Sequence, residues 1–313
     1  MARVVTLTLN PAIDKSARVD QVVPGKKLRC EPPRREPGGG GINVSRALKR
    51  FGADSQALYT AGAPTGDILR QLLDGEGIQH RPIAVGGWTR ENLTVFEAST
   101  EQQYRFGMPG PDLSEEESER CLAELSDLGS ETRYLVASGS LPGGVPADFY
   151  GRAVRAAERA KLRFVLDTSG EPLCRGAEAG VYLLKPNLRE LAELAGESIE
   201  SESQQQAVAE ELVRTGRSEV VVVSAGAAGV LLVTGEVTER IASPTVPIRS
   251  RVGAGDSMVA GIVFGLLQDM GIRDAVRYGV AAGAAAVMTP GSELCRPDDT
   301  ERLLRAMRQP DPN

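Results

Sequence analysis

The segment Val181-Tyr182-Leu183-Leu184-Lys185-Pro186-Asn187-Leu188-Arg189-Glu190 joins a short apolar run to a turn and then to the start of an amphipathic stretch. Runs of the same kind recur along the chain, and patterns with helical periodicity separate them. Strands that alternate with helices are typical of a mostly parallel sheet covered on both faces. The sequence therefore predicts a three-layer α/β/α domain. The predicted strands are 4–9, 134–137, 164–167, 181–184 and 220–224, and the predicted helices are 43–50, 65–73, 115–125, 147–161, 204–214, 256–268, 272–288 and 298–307.

Two segments, 16–36 and 83–106, break this alternation because they carry extended patterns without an intervening helix. They predict a small β-sheet appendage inserted into a single domain that spans residues 1–313. A sheet without helical cover must bury its other face against a substrate, a second subunit or both.

Composition excludes several classes of protein. The 36 basic and 42 acidic residues give a net charge of −6, which offers no reason to expect a nucleic-acid partner. The single histidine, His80, excludes Ser-His-Asp hydrolases and His-ligated metal sites. The four cysteines form no Cys-x-x-Cys pair, which favours free thiols. With no targeting segment and no apolar run of transmembrane length, we expect a cytoplasmic protein.

A glycine-rich turn, Val252-Gly253-Ala254-Gly255-Asp256, precedes an apolar helical pattern. Glycines before a helix let backbone N–H groups converge, and the helix N-terminus attracts an anion such as a transferring phosphoryl group. Asp256 would then lie beside this anion and accept the proton of an attacking hydroxyl. The alternative is that Asp256 is an ordinary N-cap and the glycines form a tight turn.

The loop after the strand 181–184 is a second candidate for phosphate binding, because ligands bind at the carboxyl ends of strands in open parallel sheets. Lys185 would neutralise nucleotide phosphates. Asn187 and Glu190 lie three residues apart on the following helix, which suits Mg²⁺ binding through water. The alternative is that Glu190 only complements the helix dipole.

Four consecutive glycines, residues 38–41, lead through Ile42 and Asn43 into a helical pattern. Such a run brings the main chain close to a partner, and Asn43 can both donate to and accept from a polyol. A flexible linker is the alternative, although a linker seldom opens directly into an amphipathic helix. The run is neither Gly-x-Gly-x-x-Gly nor a Walker loop, which argues against the common dinucleotide and P-loop sites.

Charged residues elsewhere complete the candidate site. Asp14 follows the first predicted strand, at its carboxyl end, and would accept hydrogen bonds from two sugar hydroxyls; a turn-forming aspartate is the alternative. Arg90 and Arg105 lie on the second appendage segment, and Lys27 and Arg29 on the first. These cations would hold a substrate phosphate remote from the reaction. Solvated charges that protect a strand edge are the alternative for each of them.

In order and spacing, these motifs resemble the pfkB, or ribokinase-like, sugar kinase family over essentially the whole chain. The likeness is greatest to its 6-phosphofructokinases, at residues 25–30, 36–43, 88–90, 101–106 and 138–142. Relatives that act on fructose 1-phosphate or tagatose 6-phosphate usually carry lysine where this chain has Gly40, so Gly40 favours fructose 6-phosphate. The motifs that carry the family resemblance are Asn10-Pro11-Ala12-Ile13-Asp14, the glycine run ending in Ile42-Asn43, residues 185–190, Ser224-Ala225-Gly226-Ala227-Ala228-Gly229 and Gly253-Ala254-Gly255-Asp256.

The resemblance implies a ribokinase-like fold and an ATP-dependent 6-phosphofructokinase. Such an enzyme transfers the γ-phosphoryl of ATP to the C1 hydroxyl of fructose 6-phosphate, which gives fructose 1,6-bisphosphate and ADP. Tagatose-6-phosphate kinase and 1-phosphofructokinase are alternatives within the same family. A non-catalytic sugar-phosphate-binding regulator is a more distant one. It would be expected to have lost Asp256, the glycine-rich turn or Glu190, and all are present.

The resemblance also implies residue roles, a dependence on Mg²⁺, a K⁺ site, and a homodimer formed through an appendage that acts as a lid. Asp256 would be the base, and the amides of Gly253, Ala254 and Gly255 would stabilise the transferring phosphoryl group. The implied sugar-phosphate contacts are Asp14, Lys27, Gly39, Asn43, Arg90, Arg105 and Ser140; the nucleotide contacts are Lys185, Asn187, Ser224, Gly226 and Gly229; Glu190 would order Mg²⁺; and the positions matching the K⁺ site are Ser250, Val252, Ala286, Thr289 and Gly291.

Overall fold

The structure, a computed structural model that describes residues 3–291 and 293–308, contains a nine-stranded sheet and a separate four-stranded sheet. The strands are β1 (Val4–Thr8), β2 (Ala12–Val19), β3 (Arg34–Gly38), β4 (Ser55–Ala61), β5 (Gln79–Ala84), β6 (Arg90–Glu97), β7 (Gln102–Phe106), β8 (Tyr134–Ser138), β9 (Arg163–Asp167), β10 (Val181–Leu184), β11 (Ser218–Ser224), β12 (Val230–Thr234) and β13 (Thr238–Ile241). The helices are α1 (Gly40–Arg50), α2 (Ala63–Gly75), α3 (Glu115–Glu124), α4 (Phe149–Arg159), α5 (Glu171–Glu178), α6 (Leu188–Ala195), α7 (Glu202–Arg214), α8 (Ala254–Leu267), α9 (Ile272–Val287) and α10 (Pro297–Arg308), with short 3₁₀ turns at Leu125–Asp127 and Gly226–Ala228.

The large sheet has the strand order β13-β12-β11-β10-β9-β8-β1-β4-β5. Its strands pair in parallel except at the β11–β12 and β12–β13 edge. β1, the third strand from one edge, starts the sheet, and the chain builds outward from it in both directions, so the strand order reverses between β1 and β8. Ligands bind open α/β sheets at such a switch point, outside the carboxyl ends of the strands.

Helices cover both faces of this sheet, and β1 and β8 are buried along their whole length. One apolar core joins the sheet to α1, α8, α9 and α10. A second core joins the opposite face to α4, α5, α6 and α7. The predicted three-layer α/β/α architecture is confirmed. Strands buried on both faces show continuous apolar runs rather than alternation, which is why the sequence pattern found them.

The predicted strands and helices all form, with bounds that shift by a few residues. The helix predicted to follow the strand 181–184 forms as α6, whereas the sequence pattern missed β4, β5, the β12–β13 edge and α5. Gln56 and Thr60 interrupt the apolar run of β4, although the strand is mostly buried between its neighbours. Pro172 and Gly176 weaken the helical pattern of α5. Gly176 is needed there because a Cβ at this position would lie 2.5 Å from Leu166 Cδ2 on β9.

The small sheet has the order β3-β2-β6-β7 and takes strands from both predicted appendage segments. The β2–β6 pair is parallel, and both outer pairs are antiparallel. It begins at Ala12, earlier than predicted, while residues 83–84 belong to β5 of the large sheet. β2 follows β1 after a short loop, and β6 follows β5, so the chain crosses directly from one sheet to the other. This connection places the small sheet at the carboxyl ends of the large sheet's strands.

In the part of the chain that the structure describes, no helix is both long enough and apolar enough to cross a bilayer. All four cysteines are free, as the sequence predicts, and Cys121 and Cys295 are buried. Burial raises the pKa of the Cys295 thiol to about 11, so this group is neutral at physiological pH.

Candidate active site

The glycine run before α1 lies against the loop that follows β8, at the switch point of the large sheet. A Cβ built on Gly40 would be 2.7 Å from the Ser138 carbonyl carbon and 2.8 Å from the Gly139 nitrogen. Gly39 has a φ of +116°, and a Cβ there would be 3.1 Å from Pro11 Cα. The flexible-linker alternative is therefore wrong. Any side chain at position 40, lysine included, would require these two loops to separate.

The N-terminus of α1 is held by the end of β1, because Ile42 N donates to Thr8 Oγ1 at 3.0 Å. This contact directs the first turn of α1 toward the switch point. Asn43 lies on that turn, and its Nδ2 donates to Asp256 Oδ2 at 2.9 Å. The hydrogen bond joins the N-terminal turns of α1 and α8, although 213 residues separate the two side chains.

Asp256 is the third residue of α8, and its side chain does not cap the helix. The N-cap is Gly253, which has a left-handed φ of 72° and makes no side-chain cap hydrogen bond. A Cβ at Gly253 would be 2.5 Å from Leu294 Cδ2, so close packing as well as backbone conformation requires glycine. The N-cap alternative for Asp256 is wrong. Its carboxylate instead faces the site at the N-terminal end of the α8 dipole.

The surroundings of Asp256 raise its pKa to about 7. Burial is the largest cause, and the negative charges of Asp167 and Asp14 act in the same direction. The Asn43 hydrogen bond and the Lys185 charge oppose them. A carboxylate with a pKa near the working pH combines a useful ionised fraction with a strong tendency to accept a proton. Asp256 is therefore suited to general-base catalysis.

Lys185 is a buried cation beside the N-terminus of α8. Only 6% of the residue is exposed, and its Nζ pairs with Asp167 Oδ1 at 3.0 Å. Burial lowers the pKa of Lys185, but Asp167, Glu190 and Asp256 outweigh it and hold the pKa above its usual value. A Cβ built on Gly255 would be 3.6 Å from Nζ. The ammonium and the glycine-rich turn thus face the same space, where they can stabilise one phosphoryl group.

Asn187, Glu190 and Ser224 lie together beyond Lys185. Asn187 Oδ1 accepts from Glu190 N at 3.0 Å, and Glu190 Oε2 accepts from Asn187 N at 2.9 Å, which forms a capping box at the start of α6. The structure thus shows the helix-terminal role of Glu190, and the Mg²⁺ role stays a prediction. Asn187 also bridges to Ser224 at the end of β11. Gly229, with a φ of +96°, closes the following turn by accepting from Ala225 N at 2.9 Å.

One face of the small sheet carries three predicted sugar-phosphate contacts. Strand register places Asp14 beside Asn92, while Arg90 and Thr94 flank Asn92 on the same face. Arg105 is opposite Thr94 and therefore shares this face. The predicted position of Asp14 at the end of the first large-sheet strand was wrong, because the residue lies within β2. Sequence proximity to β1 misled the prediction, since the chain enters a second sheet after only a few residues.

Asp14 is fixed by its neighbours rather than free in a turn. Its Oδ1 accepts from Asn92 Nδ2 at 2.9 Å. A Cβ at Gly38 on the paired strand would lie 2.6 Å from Asp14 Cγ, so the glycine leaves room for the carboxylate. Asn92 Oδ1 in turn accepts from Met108 N at 3.1 Å. These contacts exclude the turn-forming alternative.

Arg90 is anchored to main-chain carbonyls around Asn10. Its Nε and Nη2 donate to Asn10 O at 3.3 and 2.9 Å, and its Nη1 donates to Met108 O at 3.1 Å. Two of the five guanidinium N–H donors remain for an anion. Asn10 Nδ2 also donates to Ser140 Oγ at 3.1 Å, which brings Arg90 and Ser140 into one network. Lys27 and Arg29 lie on the exposed loop between β2 and β3.

Comparison with known proteins is consistent with this geometry. A family model described as "pfkB family carbohydrate kinase" matches residues 4–299. The chain belongs to the pfkB family. It is 46% identical over 308 residues to the ATP-dependent 6-phosphofructokinase isozyme 2 of Mycobacterium tuberculosis, covering 98% of this chain and 91% of the relative.

Solved structures of Escherichia coli phosphofructokinase-2 show the same fold as this pfkB kinase. The complex with potassium superposes with a TM-score of 0.95 at 38% identity, covering 99% of this chain and 100% of the other. The complex with fructose-6-phosphate superposes with a TM-score of 0.92 at 37% identity, with the same coverage. The predicted ribokinase-like fold and the family resemblance are confirmed.

The five positions predicted to bind K⁺ in this pfkB kinase lie on the loop before α8, in the last turn of α9 and on the loop that follows α9, and these segments meet beside the N-terminus of α8. Ser250 Oγ donates to Gly291 O at 2.6 Å and accepts from Val252 N at 3.2 Å. Thr289 Oγ1 donates to Ala286 O at 2.7 Å. Thr289 N also donates to Ala286 O, at 3.1 Å, so both lone pairs of that carbonyl are used, whereas Gly291 O, which accepts from Ser250 Oγ, keeps one lone pair for a cation. K⁺ binding stays a prediction.

Sequence reasoning missed Asp167, Asn92 and Arg46. Asp167 was the last residue of a predicted strand, so the rule that sites lie at the carboxyl ends of strands could have identified it. It pairs with Lys185 and accepts from Ser138 Oγ at 3.3 Å. Asn92 shares a strand with Arg90 but carries no signal of its own. Arg46 falls in an amphipathic helix, where an arginine is expected to face solvent; the structure buries it.

Proposed function

We propose that this pfkB kinase is an ATP-dependent 6-phosphofructokinase that phosphorylates the C1 hydroxyl of fructose 6-phosphate. The observation that carries the proposal is the position of Asp256. Its carboxylate has a pKa near 7 and is held by Asn43, and Lys185 lies beside the same helix N-terminus. A sugar hydroxyl and a phosphoryl group can therefore meet at one carboxylate. The substrate names carried by the similar proteins support the choice of sugar.

Asp256 removes the proton of the C1 hydroxyl as the sugar oxygen attacks the γ-phosphorus. The new O–P bond forms while the bond to the bridging β–γ oxygen breaks, and the electron pair of that bond leaves with ADP. The amides of Gly253, Ala254 and Gly255, together with Lys185, stabilise the charge on the transferring group. The remaining site residues act by positioning the two substrates, which supplies much of the rate enhancement in such reactions.

The nucleotide side of the site fits Mg²⁺ bound mainly through water and phosphate. Burial raises the pKa of Glu190, and the negative charge of Asp167 raises it further. The positive charge of Lys185 lowers it, but by less than burial raises it. These two carboxylates therefore face one region whose negative charge a divalent cation would relieve. Within residues 3–291 and 293–308, no group of three or more His, Cys, Asp or Glu side chains forms a protein-only metal site. Mg²⁺ keeps several waters and commonly binds with few protein ligands. It would neutralise phosphate charge here.

The other site roles belong to the same proposal. The sugar is contacted by Asp14, Gly39, Asn43 and Ser140. Its 6-phosphate is held by Lys27, Arg90 and Arg105. The ATP site is lined by Asn187, Ser224, Gly226 and Gly229. K⁺ binds at Ser250, Val252, Ala286, Thr289 and Gly291.

The small sheet serves as lid and dimer interface. On its other face, Ala17, Leu93 and Val95 are only half-buried in the single chain. We place the protein in the cytoplasm. Light scattering of the purified protein measures the dimer directly.

A substrate panel tests the proposed activity. With ATP and Mg²⁺ in a coupled ADP-release assay, we expect kcat/KM for fructose 6-phosphate to exceed the values for tagatose 6-phosphate and fructose 1-phosphate. The panel is run with and without K⁺. A tenfold preference for either of the other sugars would replace the assigned substrate. Absence of ADP release with all three would favour a binding protein instead.

The remote phosphate role predicts the effect of Arg90→Ala. Hydrogen bonds to a charged partner contribute roughly 1.5–3 kcal/mol, so we expect KM for fructose 6-phosphate to rise by about 10- to 100-fold. KM for ATP should change far less, because Arg90 lies on the small sheet. Arg120→Ala is the matched control: Arg120 also donates to a main-chain carbonyl, Ala84 O at 3.2 Å, outside the site. Equal increases of both KM values would remove Arg90 from the phosphate role.

A further inference from the structure

Arg46 lies on α1, one turn beyond Asn43, and is 2% exposed. Among the residues that the structure describes, it is the fully buried side chain with the largest residue volume. An arginine buried to this extent needs a partner for every N–H group, because an unpaired buried charge is costly. All five guanidinium donors of Arg46 have an acceptor.

The five acceptors come from four residues on three segments of the chain. Nε donates to Glu76 Oε2 at 2.7 Å, and Nη2 donates to Glu76 Oε1 at 2.7 Å. Nη2 also donates to Glu36 Oε1 at 3.2 Å. Nη1 donates to Pro37 O at 3.1 Å and to Asn43 Oδ1 at 3.3 Å. The last of these contacts connects the network to the reacting centre.

The side-chain amide of Asn43 has one acceptor end and one donor end, and each has a charged partner. Arg46 binds the carbonyl oxygen, so the NH₂ group points toward Asp256. Turning the amide by half a rotation would put its oxygen against the Asp256 carboxylate and its NH₂ group against the guanidinium. Both contacts would be repulsive. Arg46 therefore selects the amide orientation in which Asn43 donates to the base.

The same guanidinium reaches the small sheet. Glu36 and Pro37 belong to β3, where they pair with Asp14 and Ile13 of β2. Arg46 thus holds the strand next to Asp14 at a fixed position relative to α1. The buried guanidinium of Arg46 therefore positions both the strand beside the Asp14 carboxylate and the Asn43 amide that binds Asp256.

We propose that Arg46 is a positioning residue for phosphoryl transfer, acting through the orientation of Asn43 on Asp256 and through the position of β3. This proposal rests on the proposed kinase function. Arg46 touches neither substrate nor the reacting atoms in this role. Its contribution is to keep Asp256 Oδ2 occupied by the Asn43 donor, which leaves Oδ1 for the sugar hydroxyl.

A pH profile distinguishes positioning from simple structural support. The groups that act on Asp256 are Asn43 from α1, Asp14 from β2, Asp167 from β9 and Lys185 from the loop after β10. Of these, Asn43 is the one that Arg46 contacts directly. Its hydrogen bond lowers the pKa of Asp256, so loss of that bond raises the pKa. The deprotonated carboxylate is the active form. The rise of kcat with pH on the acidic side of the kcat–pH profile, its acid limb, should therefore move to higher pH.

The experiment compares full-length wild-type protein with Arg46→Met and Arg46→Lys. The kcat with saturating ATP and fructose 6-phosphate is measured at each pH from about 5.5 to 9, a range chosen to bracket the pKa of Asp256. We expect the acid limb of Arg46→Met to move up by about one pH unit, as loss of a charged hydrogen bond implies. We also expect kcat at neutral pH to fall about tenfold by the same reasoning. KM for ATP should stay within about twofold, since Arg46 does not contact the nucleotide side.

Arg46→Lys keeps a positive charge near Glu36 and Glu76 and is the variant expected to fold even where Arg46→Met does not. A lysine has no planar fork and cannot serve all five acceptors, so we expect a smaller shift in the same direction. Arg163→Met is the control: it removes a guanidinium that donates to Tyr134 Oη at 3.1 Å, at the amino end of β9. Its acid limb should match wild type.

An unshifted acid limb in the folded Arg46 variants, with kcat unchanged or lowered uniformly across pH, would overturn the positioning role. Failure of the proposed function has a different signature, because wild-type protein itself would then release no ADP with fructose 6-phosphate. The two results are therefore separable in one set of assays.

Discussion

Asp256→Asn is expected to lower kcat by about 10²- to 10⁴-fold, the range that a general base contributes. The substitution preserves shape, and the amide oxygen can still accept from Asn43 Nδ2, which lies 2.9 Å from Asp256 Oδ2. It removes the group that receives the hydroxyl proton. Fructose 6-phosphate should still bind, because Asp14, Arg90 and Ser140 are unchanged. Steady-state kinetics and equilibrium binding of the sugar phosphate measure the two effects separately.

Asp269→Asn provides the matched control, because Asp269 follows the C-terminal end of the same helix and pairs with Arg133 at the surface, at 3.3 Å. This variant should retain the activity of the wild type. A decrease of less than about tenfold for Asp256→Asn would mean that another group is the base.

Lys185→Met should impair both stability and catalysis. Removing one partner of a buried ion pair leaves the other charge uncompensated, and such changes cost about 3–5 kcal/mol in the free energy of unfolding. Asp167 would be that remaining charge, since its Oδ1 lies 3.0 Å from Lys185 Nζ. Lys185 also lowers the pKa of Asp256, so its loss should leave less of the base ionised at neutral pH. Urea denaturation and kcat/KM for both substrates measure the outcome.

The double variant Lys185→Met with Asp167→Asn separates the two effects. Neutralising Asp167 removes the uncompensated charge, so stability should recover in large part. Activity should stay low, because no cation remains beside Gly255 to stabilise the phosphoryl group. If the double variant regained near wild-type kcat, Lys185 would be a structural residue only.

Much of the site was predictable because its residues lie in locally recognisable motifs. A glycine-rich turn before a helix marks the position of Asp256, and a polar turn after an apolar strand marks Lys185. Both signals depend only on nearest neighbours and on the rule that sites lie at the carboxyl ends of parallel strands. The resemblance to the family then supplied the roles that local patterns leave open between catalysis and capping.

Asp14 and Arg46 were placed wrongly or missed because their environments come from distant segments. Asp14 follows β1 closely in sequence but belongs to the small sheet, where its neighbours come from β3 and β6. Arg46 has the sequence context of a surface arginine, yet it is buried and forms ion pairs with Glu36 and Glu76. The hydrophobic periodicity of one segment does not predict a contact with a residue that lies on another segment.

The sequence by itself determined that this chain is an α/β protein with a glycine-rich turn before a helix and an aspartate in the first turn of that helix. These properties follow from strand and helix periodicity and from the backbone freedom of glycine, which are local. Only the tertiary structure decided that Asp256 is not the helix cap and that its carboxylate has a pKa suited to a general base. Its pKa depends on burial, on Asp167 and Lys185, and on the Asn43 amide, whose oxygen accepts from Arg46. These groups meet only when the strands and helices pack, because electrostatic and hydrogen-bond effects depend on distance in space and not on position in the chain.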